Sequence, residues 1–156
     1  MRIKQAIIIS MIALATTILA WRSVITIDAG RVHKLTIGME DSASVGFDLK
    51  IDKPSPPPPP IGFYCFFSLS DSNYDFIDGL WGDIRPISDS ASWEVILRRQ
   101  EEEAVVAVDS LPREGSIYIN EQKMDSSKTE LIVPKGSGTI DIKFLQNVEN
   151  PPDDLK

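Results

Sequence analysis

The 156-residue sequence holds one cysteine, Cys65, and one histidine, His33. A single cysteine excludes an intramolecular disulfide. The domain must therefore be held by its core rather than by the covalent staples common in small secreted folds. Cys65 lies in Ile61-Gly62-Phe63-Tyr64-Cys65-Phe66-Phe67, an apolar run that points to a buried, inert thiol packed as a small hydrophobe. A lone histidine starves any transition-metal site of nitrogen ligands, and no zinc-type ligand spacing is present. The chain also lacks a Gly-x-Gly-x-x-Gly or Gly-Lys-Ser/Thr phosphate loop and a Gly-x-Ser-x-Gly nucleophile elbow. A triad assembled from distant positions would have to use His33, whose place at a strand start reads as structural. No Asn-x-Ser/Thr acceptor for N-glycosylation occurs.

Basic residues are scarce beyond the N-terminus. The formal net charge is −7. Arg2, Lys4 and Arg22 fall within the first 25 residues, which contain no acid, so the remainder sets 13 basic residues against 23 acidic ones. Phosphate backbones demand clustered Lys and Arg. This exterior repels nucleic acid and anionic lipid, and suits solubility and cationic partners. Nucleic acid is excluded as a partner, and no cofactor is implied.

The one long apolar run is N-terminal. From Gln5 to Trp21 there is no charge. As a helix this stretch reaches about 25 Å, at the short end for a hydrocarbon core of about 30 Å. Arg2 and Lys4 precede it, and Trp21 and Arg22 follow as an interfacial aromatic and cation. Two readings compete. A signal peptide would be cut after Ala15 or Ala20, giving a secreted domain. A signal anchor, the preferred reading for residues 1–22, would keep the N-terminus cytoplasmic and the C-terminal domain outside, with residues 5–21 in the membrane. Both export the body.

Downstream, period-two alternation dominates. In Ser44 to Ile51, Val45, Phe47, Leu49 and Ile51 fall on one face, opposite Gly46, Asp48 and Lys50. This is the pattern of a half-buried antiparallel strand. Thr139 to Phe144 repeats it with Ile140, Ile142 and Phe144 inward. His33, Leu35 and Ile37 share a face in Val32 to Ile37, and Trp93, Val95 and Leu97 in Trp93 to Arg99. Phe63 to Leu69 and Val105 to Val108 are apolar on both faces, as central strands are. Shorter candidates are Ser23 to Ile27, Ile117 to Asn120 and Glu130 to Val133. Turn signals separate them. Gly136-Ser137-Gly138 reads as a hairpin turn, and Arg98 to Glu103 as a charged hairpin end or a short helix. The expected fold is all-β: an antiparallel β-sandwich of about eight or nine strands over residues 23–147, behind one N-terminal helix.

Two segments break the pattern. Pro54 to Pro60 must be extended polyproline II. It reads as a stiff connector, or as a ligand for SH3- or WW-type grooves. Residues 148–156 form an acidic tail, read as a frayed terminus.

The acidic loop from Asp71 to Asp83 holds the candidate site residues. Asp71, Asn73 and Asp75 occupy positions 1, 3 and 5 of an EF-hand-like spacing, with Asp78 nearby, and can gather around Ca²⁺. The match then fails, because Phe76 stands where glycine is required and Gly82 where an acid is required. The alternatives are a solvated loop or a partner-binding tip built from Tyr74, Phe76 and Trp81.

Ile27 to Ile37, with its strand, turn and strand, and Pro134 to Asn147, with its glycine-led strand ending in Asn, resemble GOLD-type domains, the β-sandwich of p24 cargo receptors. The likeness covers most of residues 25 to 147. The chain departs from p24 proteins in its single cysteine and in the end that carries its apolar segment. Gly115 to Asn120 through Lys143 also looks like a PEGA-type surface module. Both resemblances imply binding or scaffolding and carry over no site residue. The expected function is a non-enzymatic, membrane-anchored extracytoplasmic interaction module with protein partners, an accessory subunit of a membrane complex or an envelope protein. The alternative is a soluble secreted domain that binds carbohydrate, peptide or Ca²⁺.

Overall fold

The computed structural model describes residues 19–69, 71–74 and 77–147. The N-terminal run through residue 18, Ser70, Asp75, Phe76 and residues 148–156 lie outside these, and with them the expected helix and tail. Among the described residues eleven strands form: β1 Trp21–Asp28, β2 Val32–Met39, β3 Lys53–Pro54, β4 Tyr64–Phe67, β5 Leu80–Arg85, β6 Ser90–Arg98, β7 Ala104–Val108, β8 Gly115–Ile119, β9 Gln122–Lys123, β10 Glu130–Val133 and β11 Thr139–Gln146. The chain is all-β.

The strands join into one hydrogen-bonded path, β10-β7-β1-β2-β5-β4-β6-β11-β8-β9, with β3 on β5. The antiparallel expectation needs correcting here. β2 and β5 run parallel, with Ile37 opposite Asp83 and Met39 opposite Arg85, so the sheet is mixed. The count exceeds eight or nine because β3 and β9, two residues each, are too short for alternation to reveal, and because β5 begins inside the stretch read as an acidic loop.

The sheet curls so that its halves face each other. At the bend β4 and β5 pair only through Phe67 and Leu80. Across the interior, the Trp21 ring of β1 meets Trp93 of β6 edge-on at 6.2 Å and Phe144 of β11 at 5.1 Å. The inward faces supply the core. Leu35 and Ile37 from β2, Val95 from β6, and Ile140 and Ile142 from β11 are each 0% exposed. His33, Trp93, Leu97 and Phe144 turn inward with them. β4 is buried on both faces, as its uninterrupted apolarity requires.

Three strand-level expectations fail. Residues 44–51 form no strand. The backbone N–H groups of Ile51 and Asp52 donate to the Asp48 carbonyl at 3.0 and 2.7 Å, closing a turn. The Asp52 carboxylate then accepts from the N–H of Asp48 at 2.7 Å and of Ile84 at 2.9 Å, docking that turn on β5. Val45 and Leu49 are left 71% and 77% exposed, while Phe47 alone is buried. Second, β7 is buried on one face only, with Val105 turned to the outside. Third, neither Arg98 to Glu103 nor Gly136-Ser137-Gly138 closes a hairpin. β6 pairs with β4 and β11, and β7 with β1 and β10, so both segments are corners that carry the chain between the halves. Buried Gln100 joins the two corners. Its Nε2 donates to the Pro134 carbonyl at 2.9 Å, and its Oε1 accepts from the N–H of Ser137 at 3.1 Å.

The polyproline stretch runs along the surface without strand pairing after Pro54. Tyr64 donates its hydroxyl to the Pro56 carbonyl. Arg99 donates to the carbonyls of Pro59 at 2.7 Å and Gly62 at 2.8 Å. Proline removes donors, not acceptors, and these side chains use the acceptors that remain.

Candidate functional site

The β4–β5 connection carries the residues read from sequence as binders. Asp71 and Asn73 come together in an Asx turn. Asp71 Oδ1 accepts from the Asn73 backbone N–H at 3.0 Å and from its side-chain amide at 2.9 Å. The backbone N–H of Asn73 is the main reason the Asp71 carboxyl sits below the usual carboxylate range, and the N–H of Phe47 adds to it. Asp71 thus ties this connection to the 44–51 segment. Asp78 is exposed. Among the described residues no three His, Cys, Asp or Glu side chains gather as a metal site would require; Asp75 lies outside them.

The aromatic candidates separate. Tyr74 packs edge-on against Phe47 at 4.8 Å. Trp81 lies in β5, half-buried, and donates its indole N–H to the Cys65 carbonyl at 3.1 Å. Its ring stands 5.8 Å from His33, and the Lys53 ammonium lies 5.8 Å over it. Phe76 lies outside the described residues.

His33 and Cys65 are engaged internally. His33 Nε2 lies 3.1 Å from the Phe63 carbonyl, and because a carbonyl only accepts, that nitrogen carries the proton. Burial pulls the imidazole below its ordinary pKa; the Phe63 bond opposes this and the Arg31 charge adds to it. Burial pushes the Cys65 thiol up to about 12, which removes thiolate at neutral pH.

Beside the Asx turn opens a cleft of about 330 Å³, lined by Val45, Ser68, Leu69, Asp71, Asp83 and Arg85 among others. Strand alternation puts Trp81, Asp83 and Arg85 on one face of β5. Arg85 donates from one terminal nitrogen to Asp83 Oδ2 at 2.7 Å and from the other to the Val45 carbonyl at 3.2 Å. Its Nε is buried and finds no partner among the described residues. The Asp83 side chain is 5% exposed. Burial pushes its carboxyl up to about 6, Arg85 offsets part of that rise, and the charge of Asp52 adds to it. Asp52 is itself raised, again by burial first.

The cleft is therefore lined by a carboxyl raised to about 6, the guanidinium paired with it, Ser68, and Asp71 with its carboxyl held below the usual range. Hydroxyl-rich and amide ligands find both donors and acceptors in such a set. Sequence reading stopped at Asp83 as the end of an acidic loop and missed Arg85 and Asp52. The available signal was the i, i+2 spacing of Trp81, Asp83 and Arg85 once that stretch is taken as a strand. No protein-family model, no curated protein and no solved structure matches this chain.

Proposed function

We propose that this chain is a non-enzymatic binding module held on the outer face of a membrane by its N-terminal apolar segment, serving a membrane complex or envelope as an accessory protein. The observation that carries this reading is the junction. β1 begins at Trp21, and that ring packs on Trp93 and Phe144. No spacer stands between the apolar run and the core, so a retained segment holds the domain directly against the bilayer. The basic N-terminus stays inside and the acidic body outside. Among the described residues no helix is long and apolar enough to cross a membrane; the anchor reading rests on the composition of the run before β1, residues 5–20, because Trp21, read from sequence as its last residue, belongs to β1. The likeness to GOLD-type domains supports a binding role, with the two halves of the curled sheet acting as the layers of a sandwich-like scaffold.

Alkaline carbonate extraction of membranes, combined with protease treatment of intact spheroplasts or vesicles and intact mass measurement, tests the reading. A carbonate-resistant, uncleaved chain whose body is digested from outside supports it. A chain of mature mass beginning at or before Trp21 and recovered in the soluble fraction defeats it. That second outcome selects a soluble ligand-binding domain, which the Asp83–Arg85 cleft favours. Thermal-shift screening with oligosaccharides, peptides and Ca²⁺ would then identify the ligand class.

A further inference from the structure

Between β3 and β4 runs the segment 54–60, proline at every position but Ser55. Each residue from Ser55 to Pro59 precedes a proline, which keeps it out of the α region, and each proline holds φ near −65°. The run is therefore a polyproline II helix, with three residues per turn and a rise of about 3.1 Å. Its exposure follows that period. Pro54, Pro57 and Pro60 form one edge of the helix, and all three are exposed. Ser55 and Pro58 form a second edge, and both are half-buried. On the third edge Pro56 is exposed and Pro59 half-buried. Ile61 follows with 80% of its surface in water. Gly62, at φ +84°, then turns the chain away.

The helix is fastened to the body by hydrogen bonds. Ser55 donates its N–H to the Gly79 carbonyl at 2.9 Å. Tyr64 donates its hydroxyl to the Pro56 carbonyl. Arg99 donates to the carbonyls of Pro59, Pro60 and Gly62 at 2.7, 3.4 and 2.8 Å. The carbonyls of Pro57 and Pro58 accept no hydrogen bond among the described residues. The outer edge thus presents proline rings about 9 Å apart, with two unused acceptors between its last two rings. These exposed rings and Ile61 add nothing to the core. Their backbone is already ordered, so a partner that docks on them loses little conformational entropy.

We propose that residues 54–61 are a docking ridge for a partner protein with an aromatic-lined groove, the kind that reads polyproline II ligands. Aromatic side chains of the groove pack against Pro57 and Pro60, and a groove indole or phenol donates to the Pro57 or Pro58 carbonyl. Lys53 stands at the head of the ridge, exposed and without an ion pair among the described residues. It is met by an acidic residue at that end of the groove. The inference does not depend on the tether, because the ridge is the same surface on a retained or a released chain. The partner shares the compartment of the body.

Titration of ¹⁵N-labelled SH3, WW and EVH1 domains with the unlabelled full chain in mild detergent, followed by NMR, tests the proposal. At least one domain should bind, with its largest shifts at the aromatic residues of its groove. Pro57→Ala and Pro60→Ala should each weaken that binding about tenfold, for a ring removed from a packed contact. Pro58→Ala, on the inner edge, should weaken it no more than about twofold. Each substitution relaxes the unfolded chain alike, so the comparison between positions is made on folded variants of similar stability. Lys53→Gln should reduce affinity and its dependence on salt. Absence of binding by all three domains at about 1 mM chain overturns the inference. So does a folded Pro58→Ala variant that loses as much affinity as Pro57→Ala, because the reading edge would then not be the exposed one.

Discussion

Arg85 reaches back along its own strand to place a guanidinium nitrogen 2.7 Å from the carboxylate of Asp83, two residues earlier. The pair is unequal in its burial, with Asp83 5% exposed and Arg85 24% exposed. Desolvation therefore outweighs the attraction of the cation, and the acid is raised to about 6 rather than lowered.

That inequality predicts a pH dependence. Between the ordinary carboxyl value of 3.8 and about 6, the folded protein holds a proton at Asp83 that the unfolded chain has lost. Stability must fall as pH rises through this window and stay flat above it. The span corresponds to about 3 kcal/mol as an upper bound. His33 acts in the opposite sense. Its lowered value makes the folded state lose stability as pH falls below 6.5, so the wild-type curve alone is a sum of opposed slopes. The difference between wild type and Asp83→Asn cancels the His33 slope and leaves the carboxyl together with its coupling to Asp52. Denaturant midpoints should shift toward the variant as pH is raised from 4 to 7. A difference independent of pH would contradict the buried-acid assignment.

The turn at Asp48 makes Phe47 and Leu49 inequivalent, although they share a face in the sequence pattern. Phe47→Ala should cost about 3 kcal/mol for an aromatic removed from a packed site. Leu49→Asp should change stability by no more than about 0.5 kcal/mol, as exposed positions do. Equal and large losses in the two variants, read by urea denaturation, would restore a strand at 44–51.

Gln100 joins the two corners that pass between the halves of the sheet. Gln100→Leu fills a similar volume but removes both contacts, while the exposed Pro134 carbonyl keeps the Ser137 hydroxyl at 2.7 Å. A loss of about 1 kcal/mol is expected for two net hydrogen bonds whose outer partners can turn to water. Hydrogen exchange at the Ser137 amide should accelerate beyond the global change, because its acceptor is Gln100 Oε1.

Cys65 is 0% exposed, with its thiol at about 12. A thiol reagent such as DTNB should leave the native protein unmodified at pH 8 and react fully in denaturant. Rapid reaction under native conditions would mean that β4 opens or is misassigned.

Much of the fold was legible along the chain because a single buried face writes a period of two into the sequence. β2, β6 and β11 were each found from that signal, with the inward residues correctly named, and β4 from apolarity on both faces. The acidic exterior and the lone, buried cysteine were likewise written in composition. What alternation cannot carry is pairing. The same signal in Ser44 to Ile51 failed because a strand needs a neighbour, and the hydrogen bonds among Asp48, Asp52 and Ile84 divert that backbone into a turn. The parallel pairing of β2 with β5, the corners joined by Gln100 and the one-sided burial of β7 all depend on partners distant in sequence. The candidate cleft belongs in part to the same class. Asp83 and Arg85 share a face of β5 through strand alternation, and Asp52 reaches that strand only because the turn at Asp48 docks on Ile84. Residue types and periodicity determined that this chain is a β protein with one apolar N-terminal run. Only the tertiary structure decided where its charges are desolvated, because burial is a property of neighbours brought together in space.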